Sequence, residues 1–154
     1  MKKNNDLRIS LVIIASLLIV LLTSCAEINY VGDQPTKVRN RIKEMNSIII
    51  EKDSEKLLDL FTDSYKEIVG LNSEDDKSFL ELYNSLPWLK KADDFNIKIE
   101  NIDIVIKDII MSIDAENAIV YTYLKGETDD NAYEVCFHLV RINNLWYIDN
   151  VYVK

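Results

Sequence analysis

A cysteine and a histidine stand two positions apart in the segment YEVCFHLVRI, residues 133–142, as Cys136 and His138. Because this segment has the composition of a β-strand, both side chains point to the same face. A thiolate beside an imidazole is a potential nucleophile. The alternative is a structural role, in which a small buried thiol lies next to a hydrogen-bonded core histidine. We favour the alternative, because nothing nearby resembles a cysteine hydrolase motif.

His138 is also a candidate general base, with Tyr121, Tyr123 or Asp149 assisting. A carboxyl in such a site needs an apolar wall that raises its pKa toward the working pH. Asp149 has a competing role, in which it caps or orients the last strand. The sequence holds one histidine and three ungrouped glycines, so no metal site, phosphate-binding loop or cofactor is predicted.

Aromatic residues recur on the predicted strands and are candidates for lining a ligand site. A tyrosine has an apolar body and a polar tip, which suits a binding surface. A half-exposed sheet face also favours tyrosine, so this alternative stays open. Strict alternation places Tyr121 with Tyr123, and Trp146 with Tyr152, on shared faces. The ligand-lining candidates are Tyr121, Tyr123, Tyr133, His138, Trp146 and Tyr152, with Tyr147 on the same strands.

Three helical segments are predicted before the strands. The first begins near Pro35 and carries an apolar stripe at helical spacing, formed by Val38, Ile42, Met45 and Ile49. Asp53 is suited to cap a second helix. Residues 65–69 suit either the end of that helix or a short strand. A third helix is expected to start at residues 72–76, where acids follow Asn72-Ser73, and to end at Pro87.

The rest of the chain is rich in alternating apolar residues and predicts an antiparallel sheet. Residues 95–113 are dense in isoleucine, with an alternation that slips near Asn101. Residues 118–125, 133–142 and 145–153 are the following strands, and the pair Asn143-Asn144 suits a tight turn with positive φ. Helices first and a strongly bent antiparallel sheet last predict the α+β class.

The chain opens with basic residues and an apolar run from Ile9 to Leu22, which is the layout of a secretory signal. Leu22-Thr23-Ser24-Cys25 resembles the lipobox of bacterial lipoproteins. The resemblance implies cleavage between Ser24 and Cys25 and a diacylglyceryl group on the Cys25 thiol, which anchors the protein to the extracytoplasmic face of the cell membrane. An uncleaved signal anchor is the alternative, although the run is short for a span.

The expected domains are therefore a signal peptide (1–24), a lipidated cysteine with its tether (25–34) and one folded domain (35–154). Residues 1–24 hold three positive charges and one negative charge, so their removal changes the net charge from −8 to −10. Nucleic acid is excluded as a partner by this charge and by the lack of Lys/Arg clusters. Lipidation of Cys25 leaves Cys136 without a disulfide partner.

Three N-terminal helices and a meander ending in WYIDNV resemble the NTF2-like, or cystatin-like, superfamily over roughly residues 35–154. The resemblance implies a sheet that curls around the helices into a cone with a pocket. Small NTF2-like lipoproteins of Gram-positive bacteria are a similar group. Some NTF2-like enzymes are isomerases or dehydratases with an Asp or His base in the pocket.

The expected function is a membrane-anchored, non-catalytic binding module for a small molecule, a peptide or an envelope protein. One alternative is an isomerase or dehydratase that uses His138 with a pocket carboxylate. Another is a structural homodimer at the cell surface, formed through the sheet face.

Overall fold

The computed structural model describes residues 32–71, 77–127 and 131–154. The signal peptide, the lipobox and the helix start expected at residues 72–76 lie outside these ranges. The chain divides into two units, Met1–Gln34 and Pro35–Lys154, and the sheet belongs to the second. In the described ranges no helix is both long enough and apolar enough to cross a bilayer.

Helix α1 covers residues 32–51 of the described chain. It therefore includes the last three residues of the segment expected to be a tether, with Pro35 tolerated near its start. The predicted stripe is confirmed, because Val38, Ile42, Met45 and Ile49 are all fully buried. α1 packs this stripe into the core and exposes Lys37, Arg39 and Lys43, whereas Arg41 is partly buried.

Four short helices follow: α2 Ser54–Leu58, α3 Asp63–Ile68, α4 Phe79–Ser85 and α5 Pro87–Lys90. Asp53 caps α2 as predicted, by accepting a hydrogen bond from the Lys56 N–H at 3.1 Å. Thr62 caps α3. Residues 65–68, for which the sequence allowed helix or strand, are therefore helical. Ser78 and Glu81 form a capping box at the start of α4. α4 ends before Pro87 as predicted, with Leu86 extended as its C-cap, and Pro87 then occupies the first turn of α5.

The sheet contains four strands: β1 Asp103–Met111, β2 Asn117–Lys125, β3 Ala132–Ile142 and β4 Leu145–Val153. They form an antiparallel meander in the order β1-β2-β3-β4. The start of the isoleucine-rich segment is not a strand, because two 3₁₀ turns, Lys91–Phe95 and Ile99–Asn101, precede β1. Asn143 and Asn144 have φ values of 50° and 67°, which confirms the predicted tight turn.

Two β-bulges interrupt the alternation of the strands. Lys107 is the extra residue of β1, between Ile106 opposite Thr122 and Asp108 opposite Tyr121. Asp149 is the extra residue of β4, because His138 pairs with Asn150 whereas Leu139 pairs with Ile148. Each bulge reverses the face to which the following side chains point.

The helices cover one face of the sheet, which we call the inner face. Its side chains and those of the helices form the core, whose largest fully buried members are Trp88, Phe61 and Phe137. Trp88 packs edge-on against Phe137, with ring centroids 5.2 Å apart. The α+β prediction is confirmed. The predicted strong bend of the sheet is wrong, because the sheet is not strongly curled. Core side chains fill its inner face.

Hydrogen bonds to other groups occupy part of both edges of the sheet. At β4, the Ile148 N–H donates to Leu60 O at 2.8 Å and Ile148 O accepts from the Thr62 N–H at 2.9 Å. At β1, the Ile104 N–H donates to Asn46 Oδ1 and the Ile109 N–H donates to Asp108 Oδ1. These contacts hinder strand addition at those positions, and the outer face is the face of the sheet that the helices leave open.

Candidate functional site

The outer face of the sheet, opposite the helices, carries most of the residues singled out in the sequence. The register aligns them in rows across the strands, because paired residues share a face. One row is Asp108, Tyr121, Cys136 and Tyr152. A second row contains Ile110, Ile119, His138 and Asn150. It lies next to the first, on the side of the turns at residues 112–116 and 143–144. Tyr123 and Glu134 pair in the row on the other side.

A charged cluster lies at one end of this face, around Glu134. The ammonium groups of Lys107 and Lys154 approach its carboxylate at 3.6 Å and 3.5 Å, from β1 and from the end of the chain. The Lys107 ammonium also donates to the Tyr123 hydroxyl at 2.9 Å. The hydrogen bond with Tyr123 contributes most to lowering the pKa of Glu134. The positive charges of Lys154 and Lys107 lower this pKa further. Glu134 is therefore ionised at neutral pH.

A pocket of about 270 Å³ opens on the outer face beside this cluster. Residues of β1, β2 and β3 line it together with Lys154, which follows β4, and Tyr121 and Cys136 are its less polar members on the outer face. The Lys154 ammonium lies 5.8 Å from the centre of the Tyr121 ring, within range of a cation–π contact. The residues lining the pocket are Lys107, Asp108, Tyr121, Thr122, Glu134, Val135, Cys136 and Lys154.

Cys136 and His138 do share the outer face, as the alternation predicted. Burial raises the pKa of the Cys136 thiol, and the Lys154 ammonium lowers it by a smaller amount. A thiol with a raised pKa is protonated at neutral pH and is a poor nucleophile. The direction of this shift weighs against the nucleophile. The alternative placed both residues in the core, and this is wrong, because Cys136 is only partly buried and His138 is about one-third exposed.

His138 lies beside Asp149, and the distance between Nδ1 and Oδ2 is 3.6 Å. The other carboxylate oxygen of Asp149 accepts a hydrogen bond from Thr62 Oγ1 at 2.9 Å. Thr62 in turn caps α3 through the Tyr65 N–H. Asp149 thus connects the bulge of β4 to a helix start, and both members of the pair are about one-third exposed. The pair is therefore open to solvent and is not enclosed in a pocket.

Two of the predicted ligand-lining residues lie in the core instead. Tyr133 is 3% exposed, stacks on Phe95 and donates its hydroxyl to Trp88 O at 2.6 Å. Trp146 is also 3% exposed and faces the helices. Trp146 and Tyr152 therefore do not share a face, because the Asp149 bulge lies between them. Tyr121, Tyr123, His138 and Tyr152 remain on the outer face.

Lys107, Glu134 and Lys154 were not singled out in the sequence, although they form the charged cluster. Alternation along β3 places Glu134 beside Cys136 and His138, which was a usable signal. Lys107 is brought to the cluster at a bulge, and a bulge has no clear signature here. Among the residues with described positions, no three His, Cys, Asp or Glu side chains gather as ligands for a metal ion.

Comparison with protein-family models and with curated proteins gives no match for this chain. The role of the outer face is therefore inferred from its own geometry.

Proposed function

We propose that this protein is a lipid-anchored binding module on the extracytoplasmic face of the membrane, and that it binds a peptide or envelope protein through the outer face of its sheet. One observation carries the proposal. The inner face is filled by core side chains, whereas the outer face presents exposed apolar and aromatic groups around a pocket. Val105, Ile110, Ile119, Ile142, Leu145 and Tyr152 are each at least 37% exposed.

The composition of the outer face suits a protein or peptide partner. Tyrosine is enriched at interfaces because it combines apolar area with a hydrogen-bonding tip, and Tyr121, Tyr123 and Tyr152 supply it here. The pocket next to Glu134 would hold an anchoring side chain or a small ligand.

The lipid anchor is supported by the sequence LTSC at residues 22–25, after the apolar run. Two acyl chains on one cysteine are sufficient for stable attachment. Cys25→Ser in the full chain is expected to leave the precursor unlipidated and uncleaved. Maturation of this variant to wild-type size in the membrane fraction would refute the anchor.

We also propose membership of the NTF2-like superfamily. Support comes from the order of elements, since helices precede an antiparallel meander that ends in WYIDNV. The packed inner face differs from the open pocket that the resemblance implies. This difference moves the proposed binding surface from the inner to the outer face.

An acid–base enzyme is the second candidate function, and the 3.6 Å approach of His138 to Asp149 favours it. Asp149 would orient the imidazole, while Thr62 holds Asp149 in place. The open position of the pair weighs against this function, because general acid–base chemistry benefits from a site that excludes water.

The binding role is tested by a charge placed on the outer face. Ile119→Arg should abolish the covalent complex that a lysine-reactive crosslinker captures on intact cells, whereas Leu80→Arg, a control at an exposed position of α4, should retain it. A complex of twice the protein's mass would identify the partner as a second copy. Equal capture by both variants would overturn the proposal.

A further inference from the structure

The pocket on the outer face combines positive and negative side chains in equal number. Its charged lining residues are Lys107, Asp108, Glu134 and Lys154. Beyond them, Asp103 on β1 pairs with Lys125 on β2, so the balance of charge extends past the pocket. A pocket whose charges cancel exerts no net attraction on a simple anion or a simple cation. It favours a ligand that carries one charge of each sign, provided that its own charges are separated in space.

The positive charge gathers at one side of the pocket, around Glu134. The ammonium groups of Lys107 and Lys154 stand 3.6 Å and 3.5 Å from its carboxylate, and both side chains are more than half exposed. These distances exceed the roughly 2.7–2.9 Å of a direct charge-assisted hydrogen bond. Each ammonium has three N–H donors, so donors remain for a second acceptor. This side of the pocket is therefore suited to hold the carboxylate of a ligand.

The position of Lys154 is fixed by its main chain. Its N–H donates to Glu134 O at 3.1 Å, and its main-chain oxygen accepts from Lys91 Nζ at 3.5 Å. Its ammonium lies 5.8 Å from the centre of the Tyr121 ring. Lys154 thus brings its charge over the middle of the pocket from beyond the end of β4.

Asp108 supplies a negative charge in the next row, on β1. Its Oδ1 accepts the Ile109 N–H at 2.8 Å, which fixes the carboxylate beside the bulge. In the described ranges the ion pairs of the pocket are those of Glu134, and Asp108 forms none. One oxygen of Asp108 is therefore left to accept from a cationic group of a ligand.

The two sides of the pocket are separated by a less polar strip. In the register Asp108 is opposite Tyr121, which is opposite Cys136. Strands lie about 4.8 Å apart, so Asp108 and the Lys154 ammonium are roughly 5–10 Å from each other. The volume of about 270 Å³ is below the roughly 300–1,000 Å³ of sites for drug-sized ligands. The pocket therefore suits one amino-acid residue with an aliphatic segment between its two charges.

We propose that this pocket binds the carboxyl-terminal residue of a peptide when that residue is a lysine. The terminal carboxylate lies between Lys107 and Lys154, and the ε-ammonium pairs with Asp108. The methylenes between them lie against the Tyr121 ring. The opposite orientation would place each charge of the ligand beside a like charge. This inference rests on the proposed binding of a peptide or envelope protein through the outer face, and it names the segment that the pocket takes.

The experiment uses the full chain, matured in a bacterial host and purified in a non-ionic detergent. Cys136 lines the pocket, so a bound peptide should slow its alkylation by iodoacetamide, which peptide mass spectrometry measures at this residue. The probes are acetyl-alanyl-lysine, its carboxamide, which lacks the carboxylate, and acetyl-alanyl-norleucine, which lacks the ammonium. An exposed ion pair changes a binding constant by roughly two- to fivefold. The lysine peptide should therefore protect Cys136 at a midpoint concentration about two- to fivefold lower than either analogue.

Variants assign each charge of the ligand to its partner, with each rate compared with that of the same variant without peptide. Asp108→Asn, which keeps an acceptor for the Ile109 N–H, should remove the preference for lysine over norleucine. Lys154→Gln should reduce the preference for the free acid over the carboxamide. Lys98→Gln, a control outside this pocket, should retain both preferences.

The outcomes separate this site from the outer-face partner. Equal midpoints for the three peptides, or no protection of Cys136, overturn the lysine site. If the complex on intact cells is still captured in that case, binding through the outer face stands without it. Protection with both preferences but no captured complex supports the lysine site and overturns the proposed protein partner.

Discussion

Trp146 and Tyr152 lie on opposite faces of β4, although six positions separate them and strict alternation would place them together. Asp149 is the cause, because it is an extra residue between Ile148, opposite Leu139, and Asn150, opposite His138. Trp146 consequently packs in the core, while Tyr152 stands on the outer face beside Cys136. The bulge decides which of the two aromatic side chains a partner can reach.

Tyr133→Phe is expected to destabilise the protein by about 1–3 kcal/mol. The variant removes the hydroxyl that donates to the buried Trp88 carbonyl at 2.6 Å, so this carbonyl loses its hydrogen bond. Tyr121→Phe, on the outer face, should change the free energy of unfolding by less than about 0.5 kcal/mol. Urea denaturation of both variants measures the difference. A loss from Tyr121→Phe as large as that from Tyr133→Phe would mean that the two faces have been assigned the wrong way round.

Asp149→Ala is expected to cost about 1 kcal/mol, because Thr62 loses its partner at 2.9 Å and the start of α3 is loosened. Hydrogen exchange should accelerate at the amides of Thr62 and Tyr65. His138→Gln should cost less than about 0.5 kcal/mol, because the 3.6 Å contact with Asp149 exceeds hydrogen-bond length. The assignment fails if His138→Gln loosens α3 as much as Asp149→Ala does.

The thiol of Cys136 is expected to react with iodoacetamide more slowly than a free cysteine at pH 7.5. Burial raises its pKa, and the thiolate is the reactive form. The rate should therefore rise with pH and reach half its maximum above the ordinary thiol value of about 8.5. Lys154→Ala should move that midpoint further upward, because the ammonium lowers the pKa. A midpoint below about 8.5 would revive the nucleophile hypothesis.

Stability is expected to fall in alkali because of three buried tyrosines. Burial is the first cause that raises the pKa of Tyr65, Tyr83 and Tyr133 above the ordinary value. The folded state therefore keeps these protons, while the unfolded state loses them above pH of about 10. Below pH of about 10 these tyrosines contribute no pH dependence. Above it, each of them lowers the free energy of unfolding by about 1.4 kcal/mol per pH unit.

Tyr133→Phe provides the test of this alkaline effect. The stability gap between the wild type and the variant should be constant from pH 7 to 9 and should narrow as pH rises beyond about 10. Urea denaturation across this range gives the gap at each pH. A gap that stays constant to pH 11 would show that Tyr133 ionises normally in the folded protein.

The regular elements were predictable because their signals are local. The stripe of α1, the cap at Asp53 and the pair Asn143-Asn144 each act within one or two turns of chain, and each prediction is confirmed. The strand from residue 145 to 153 was also predicted at its observed limits. Helix starts and tight turns depend on neighbours in sequence, so a single chain is sufficient to find them.

The composition of the site was less predictable because it depends on register. The extra residues Lys107 and Asp149 shift the faces of β1 and β4, and neither has a local cause visible in its neighbours. The burial of Tyr133 depends on Trp88, which lies 45 positions earlier. The expected bend of the sheet came from a resemblance of element order, and element order does not determine how far a four-stranded sheet curls.

Site-specific photo-crosslinking on intact cells is the decisive test of a partner bound to the outer face of the sheet. A photoreactive phenylalanine analogue replaces Tyr152, which is 56% exposed on the outer face, or Ile68, which is 71% exposed at the end of α3. Illumination should give a discrete adduct from position 152 that position 68 does not give. Absence of an adduct at 152, or the same adducts from both positions, would contradict the proposed binding surface.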